Sequence, residues 1–555
     1  MCSAAGQGPI EGAEEREGQM RSGGVPEAGP PQGGVPAQIL TADMPAETKA
    51  WRPGEPMDWF GGALRADISA NERLEYRENW LDFNDDYDLR DDVGLFQRLR
   101  FGLMIRPSSW LTVYGQFQDS RTFFDETRGD VGDPFRGMRA YSAAPDQSRE
   151  FVLSNSSIDL YEGWAEFGGL DAGHWALRVG RQVLAYGDNR LIGPGTPWNN
   201  NGRTFDAAKA QYRSDGFQVD IFGGWVVLHK NDRFNDPDMA DLLTGIYATT
   251  TMVPAHTVDA YVLYRNKSDV EFSTVYTDRP QQNAGNTAPP GDYFTFGSRW
   301  KSKNGAFGPW DWNGEFAIQM GDVVNPLGFY RTDPRTGERV PVDRIGTRTI
   351  NTLRQDLLAC AAHIEFGYTL HCAWKPRVFI EYSYGSGDEN PSDGECGTFQ
   401  GLLPTVHKYY GFMDLFDWQN MHNPAVGVAA KPTPAIDLTL NFHQFWLDET
   451  EDPWRLSTQQ AQGGQGRYAN ALLGNTPVPE TTILGKNIRR GAPSSYVGGE
   501  LDFMVRWKVA KWMQLEAGYS HFFAGDYILD TAPVYGDRRR ADGARFAYGQ
   551  ISLGF

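Results

Sequence analysis

Arginine is the residue type best placed to do chemistry in this sequence. The 555-residue chain holds 40 Arg against 12 Lys, and several arginines fall at alternate positions of short segments. Arg98 and Arg100 lie in one such segment, Arg178 in a second, Arg299 in a third and Arg506 in a fourth. A planar guanidinium offers donors in a fixed fork and grips carboxylates or sulfates bidentately, where lysine acts as a point charge. Carboxylates share the same alternation at Glu315, Glu365, Glu381, Glu500, Asp502 and Glu516. Two readings follow. The two signs pair and stiffen one wall, or the arginines form a cationic ring that replaces the hydration of passing carboxylates.

Other chemistries are poorly supplied. The nine histidines include no His-Glu-x-x-His, and there is no Gly-x-Ser-x-Gly elbow and no Walker loop. The four cysteines, Cys2, Cys360, Cys372 and Cys396, show no C-x-x-C spacing. Gly464-Gln465-Gly466-Arg467-Tyr468-Ala469 imitates a dinucleotide fingerprint, but no βαβ unit surrounds it. The acidic stretch Asp388 to Glu395 offers oxygen ligands for calcium without the spacing of an EF-hand loop. Glu365 and Glu381, if facing strands bring them together, would supply the paired carboxylates of a glycosidase. Lumen carboxylates are ordinary in pores, so the expectation is no enzyme, no cofactor and no resident metal.

The elements that must carry these residues follow from composition and periodicity. A net charge of −19 disfavours a nucleic-acid partner, which needs a basic surface. A mean hydropathy of −0.51, with no run of 18 apolar residues, excludes a helical membrane bundle. Residues 1–55 are rich in Gly, Pro, Ala and Glu, and read as a disordered leader. The start, Met1-Cys2-Ser3-Ala4-Ala5-Gly6, has no charged region followed by an apolar one. Either a signal peptide is missing from the sequence or the chain stays inside the cell.

Residues 56–555 have one uniform texture of short alternating segments. In Leu111 to Gln118 one face is Leu111, Val113 and Phe117 and the other is Thr112, Tyr114, Gln116 and Gln118. Such period-two alternation marks strands with one apolar and one polar face. Short turns read at 107–109, 168–174, 214–216, 266–268, 301–309, 369–376, 431–435 and 509–511. Between them run polar stretches at 122–157, 185–203, 229–256, 322–356, 387–422, 448–495 and 524–543. Eight hairpins, with a first strand at 64–77 and a last at 544–555, predict about 18 strands. Alternation of short and long connections predicts a single closed antiparallel transmembrane β-barrel with short periplasmic turns and long extracellular loops. A soluble, carbohydrate-acting β-sandwich is the rival, because it would give the same strand periodicity.

In a barrel the apolar faces meet lipid and the polar faces line the lumen. Leu99, Phe101, Leu103 and Ile105 then face out, with Arg98, Arg100 and Arg106 facing in. Phe294, Phe296 and Trp300 face out opposite Arg299. Arg181 has the wrong parity, and an arginine in mid-bilayer lipid costs roughly 2–4 kcal/mol. A bulge near Gly180 is therefore predicted to turn it inward. Trp225, Trp300, Trp310, Trp312, Trp507 and Trp512 fall near strand ends, where interfacial girdles belong. The closing strand, with Ala547, Gly549, Ile551, Leu553 and Phe555 on one face, is similar to the signal read by the bacterial barrel-assembly machinery.

Several motifs carry a family likeness. Gly180-Arg181-Gln182-Val183-Leu184-Ala185-Tyr186-Gly187-Asp188-Asn189-Arg190-Leu191-Ile192-Gly193 is followed by Trp198-Asn199-Asn200 and Gly202-Arg203-Thr204-Phe205-Asp206. Further along come Glu381 to Pro391, His407 to Gly411, Gly499 to Asp502 and Ala517 to Phe523. Together they resemble the alginate-export family of bacterial outer-membrane barrels, over roughly Leu64 to Phe555. The resemblance implies an 18-stranded barrel in the outer membrane that passes an anionic polysaccharide or oligosaccharide, such as alginate, through an arginine-lined constriction. It makes Arg178, Arg181, Arg190 and Arg203 the foremost pore residues, with Arg98, Arg100, Asp206, Arg299, Glu381 and Arg506 beside them. Outer-membrane lipid and periplasmic polysaccharide-handling proteins are the implied partners. A general porin for small solutes is the alternative transport reading.

Overall fold

The computed structural model describes residues 57–79, 83, 92–123, 157–169, 174–196, 198–228, 234–267, 291–324, 354–390, 393–405, 407–450, 452, 454, 493–531 and 541–555. It also describes the backbone of three small hairpins within 330–349 and 481–488. The predicted leader, 1–55, and the fingerprint-like 464–469 lie outside the described residues.

Among those residues, 18 long strands form one antiparallel sheet. They are β1 (Leu64–Glu78), β2 (Asp92–Ser108), β3 (Leu111–Phe123), β4 (Ser157–Gly168), β5 (Trp175–Gln182) and β6 (Phe205–Ser214). Next come β7 (Phe217–Leu228), β8 (Asp236–Thr250), β9 (His256–Lys267), β10 (Gly291–Ser302), β11 (Trp310–Val324) and β12 (Arg354–Thr369). The last six are β13 (Arg377–Gly385), β14 (Met421–Thr433), β15 (Ile436–Trp446), β16 (Tyr496–Ala510), β17 (Met513–Ala524) and β18 (Ala544–Gly554). Each strand pairs with its neighbours in sequence, and β18 returns to β1 in a register running from Ser69↔Gly554 to Glu78↔Arg545. The ring is thus closed, and interstrand hydrogen bonds satisfy the backbone without water.

The strand count matches the sequence reading, but one hairpin was displaced by one strand. The expected turn at 266–268 is absent: Asn266 and Lys267 end β9, opposite Asp292 and Gly291 of β10. The short turn lies earlier, at 251–255, and the long connection lies at 268–290. The stretch 229–256, expected to be a polar loop, contains β8. Its first half, Asp236-Pro237-Asp238-Met239-Ala240-Asp241, shows no alternation because the β7–β8 register shifts between Trp225 and Val227. A bulge resets which face a residue occupies and erases the period-two signal.

The outer surface decides between barrel and sandwich. Leu99, Phe101 and Ile105 are 47%, 46% and 43% exposed. Exposed apolar side chains continue around the ring through Phe117, Ile246, Phe296, Phe316, Ile364, Ile380, Val426, Leu440, Phe503 and Ile551. No second layer covers these rows among the described residues, so the soluble sandwich is set aside. Trp110, Trp175, Trp300, Trp310 and Trp507 are exposed near the short-turn end, as an interfacial girdle requires. Replacing Phe316 with Arg should therefore destabilise the inserted barrel by about 2–4 kcal/mol. Urea unfolding from lipid vesicles measures this, and an unchanged midpoint would mean that the face does not meet hydrocarbon.

Candidate functional site

Two long connections fold into the barrel instead of standing above it. Segment 183–204 joins β5 to β6, and segment 386–420 joins β13 to β14. They meet edge to edge: Gly193 N–H donates to the Leu403 carbonyl (2.8 Å), Leu403 N–H to Leu191 (2.8 Å) and Thr405 N–H to Asn189 (2.9 Å). Their contacts with inward-facing side chains place them in the lumen. On one side Arg98 donates to the Asn199 carbonyl (3.1 Å) and Gln118 to the Asn201 carbonyl (2.8 Å). On the other, Arg265 donates to the Leu402 carbonyl (2.7 Å) and Gln319 to the Gln400 carbonyl (2.9 Å). Met413 N–H donates to Glu500 Oε1 (2.8 Å). Gly411 makes that last contact possible, since a Cβ there would stand 2.4 Å from the Glu500 carboxylate.

The loops also carry their own apolar ballast. Leu184, Leu191, Ile192, Trp198, Phe399, Leu402, Leu403, Leu415, Phe416 and Trp418 are buried with the wall residues Phe205, Phe222, Leu243, Leu263, Tyr293, Phe445 and Phe546. Each such side chain contributes roughly 1.5–3 kcal/mol on burial, so the loops are docked rather than draped. A wet lumen holding both charge signs was the expectation, and this apolar core at loop level is the departure from it.

The candidate arginines divide by partner. Arg178 pairs with Glu166 (2.6 Å) and lies over the Trp164 ring (3.9 Å). Arg506 pairs with Glu516 (2.6 Å), and Arg299 pairs with Asp259 (2.6 Å) and with Asp188 of the first loop (3.0 Å). Arg100 donates to Gln118 Oε1 (2.7 Å) and lies over Tyr161 (3.6 Å).

Arg181 pairs with Asp206 (2.8 Å), its direct register partner, and donates to the Asn235 carbonyl (3.0 Å). The bulge predicted near Gly180 is absent, because β5 pairs in regular register with both neighbours. The register shift lies across the sheet, where β4 meets β3 between Gln116 and Phe117. Gly180 takes a positive φ of 123°, a conformation open to glycine, and only 11% of the Arg181 side chain is exposed.

Arg190 is the buried centre of the loop junction. Its Nη2 donates to His363 Nε2 (2.9 Å) and Glu381 Oε1 (3.3 Å), its Nη1 donates to the Tyr410 hydroxyl (3.3 Å), and its guanidinium lies over the Tyr409 ring (3.8 Å). Acceptance at Nε2 requires neutral His363 with its proton on Nδ1, which faces Ser383 Oγ at 3.1 Å. Beside it, burial pushes the Asp188 carboxyl up, but Arg299, Lys301, Lys408 and Arg190 outweigh burial and hold it well below the usual carboxylate range.

Arg203 differs from the others. Its Nη1 donates to the carbonyls of Gly193 (3.0 Å) and Pro404 (3.1 Å), one from each loop. Among the described residues no carboxylate lies within ion-pair distance of it. Burial and the neighbouring Arg265 push its pKa down to about 10, which leaves it charged at neutral pH.

Arg190, Arg203, Arg299 and Glu381 are thus gathered at the junction of the two loops, whereas Arg178, Arg181 with Asp206, and Arg506 sit elsewhere on the wall. Parity alone would have found Arg265, which pairs with Asp241 (2.7 Å) and shares the inward face of Tyr261 and Leu263 on β9. Asp188, His363, Tyr409 and Tyr410 needed the fold. Glu365 and Glu381 are indeed register partners, but Glu365 is held by Arg377 and Glu381 by Arg190. In the acidic stretch, Asp388 and Asp393 accept the N–H groups of Asn390 (3.1 Å) and Glu395 (2.9 Å) as turn caps.

A model of the family described as alginate export matches residues 66–542. No curated protein matches the chain. Similar solved structures include OccAB1 of Acinetobacter baumannii, 11% identical, covering 89% of this chain and 96% of that one with a TM-score of 0.49. Another is OpdK of Pseudomonas aeruginosa with vanillate, 9% identical, covering 88% and 98% with a TM-score of 0.46.

Proposed function

The chain belongs to the alginate-export family and forms a channel in the bacterial outer membrane, and from that premise we propose that it passes an anionic polysaccharide such as alginate, or its oligomers, passively, with the lumen arginines selecting the cargo. The observation that carries the reading is Arg203. It stands where the two loops meet, is fixed by two carbonyls, and has a guanidinium that no described carboxylate reaches within ion-pair distance. A uronate carboxylate is the complement of that planar fork. Arg299, held by Asp188 and Asp259, would exchange Asp188 for a carboxylate of the sugar, while Arg190 keeps its pair with Glu381. Periplasmic polysaccharide-handling proteins would present the polymer at the short-turn end.

One observation favours the narrower alternative, a porin for small solutes: the inward loops hydrogen-bond across to opposite walls and occupy the lumen. Planar-bilayer recording of the full chain separates the two. The proposal expects anion-selective current that alginate blocks from at least one side and neutral dextran of similar length does not. Current indifferent to alginate from both sides would leave only the small-solute channel.

A further inference from the structure

Among the described residues, a polar row on the lipid-facing wall has apolar side chains both above and below it, unlike the Glu78–Arg545 and Asp322–Arg354 pairs at strand ends. On the outer faces of β1, β2 and β3, Glu72, Gln97 and Arg121 are consecutive register partners, with Asp119 beside Arg121. Gln97 Nε2 donates to Glu72 Oε1 (2.7 Å), and Arg121 Nε donates to Asp119 Oδ1 (2.5 Å). Apolar side chains border this row on every side. Ala70, Leu99 and Phe117 lie towards the short turns, and Leu74, Leu95 and Phe123 towards the long loops. Ile551 of β18 stands opposite Glu72, and Ile158 of β4 opposite Asp119. Leu74, Phe123, Ile158 and Ile551 are all exposed, so the apolar band resumes beyond the row. A carboxylate and a guanidinium facing hydrocarbon are costly, and protein or water must meet them.

We propose that this row is a lateral contact with a second copy of the same chain in the membrane. The argument is charge complementarity. Glu72 and Arg121 stand at opposite ends of the row, about two strand spacings of 4.8 Å apart, with the uncharged Gln97 between them. A two-fold axis along the membrane normal and through Gln97 brings the Glu72 of each copy towards the Arg121 of the other. The two Gln97 carboxamides meet at the axis, where each donates and accepts. A two-fold contact uses one patch twice and must be self-complementary, and this row is.

The test uses the full chain in outer membranes. Gln97→Cys under mild oxidation should give a disulfide-linked species of twice the mass, at least severalfold more abundant than in the unmodified chain or in Phe503→Cys, four strands away on β16. Glu72→Arg should abolish the dimer seen by native mass spectrometry, and adding Arg121→Glu should restore it. A monomeric Gln97→Cys protein, equal cross-linking of the Phe503→Cys control, or a cross-linked product of another mass each overturns the proposal.

Discussion

Arg190→Ala should loosen the junction of the two inward loops and raise channel conductance measurably. Arg190 is buried against Glu381, His363 and Tyr410, and removing it leaves a buried carboxylate with no cation. Breaking a buried pair this way costs about 3–5 kcal/mol, comparable to the contribution of two buried loop side chains. The cost falls on the junction because Glu381 belongs to the barrel wall and Arg190 to the loop. Adding Glu381→Gln removes the orphaned charge and should return conductance towards that of the unaltered chain, since deleting both partners is far milder than deleting one. Single-channel recording and protease cutting within 183–204 read the same event. If Arg190→Ala leaves both unchanged, some other contact holds the loops.

Arg203→Gln should do the reverse, leaving conductance and loop docking near normal while weakening alginate block by roughly ten- to hundredfold. Glutamine keeps a donor for the Gly193 and Pro404 carbonyls and removes only the charge. A hydrogen bond to a charged group is worth about 1.5–3 kcal/mol, and each 1.4 kcal/mol is tenfold in affinity. The pH dependence has a definite sign. The guanidinium is charged below its lowered pKa of about 10 and neutral above it, so block should persist from neutral pH to about 9 and fade as pH rises through 10. The Arg203→Gln channel should show no such step. Equal block in the two proteins across that range would assign selectivity to the paired arginines instead.

The wall was far more legible in the sequence than its contents. Leu99, Phe101 and Ile105, or Phe294 and Phe296, alternate because a strand between lipid and water has only two environments, and period two reports them directly. That logic fails where β8 carries a register shift, and Asp241 was lost with it, so the Arg265–Asp241 pair went unseen. It fails again in 386–420. Phe399, Leu402, Phe416 and Trp418 sit there at irregular spacing, because their burial is set by wall residues outside the segment, from Phe205 to Phe445. Arg190 was legible as a candidate, but its partners come from β12, β13 and the other loop. Pairing of that kind is a property of the closed ring and leaves no local pattern.

The closure of β18 on β1 bears on how the protein is made. Asn71 donates to Ser552 across 481 positions of sequence, so the joint cannot form before Ser552 has been synthesised. Long-range contacts are slow because chain entropy must be surrendered before they reward it. Until then both ends of the unfinished sheet expose rows of unpaired amides and carbonyls, a template for mispairing in water and untenable in lipid. Biogenesis must therefore shield two open margins at once, and a chain halted before Ala544 should remain bound to whatever factor guards them.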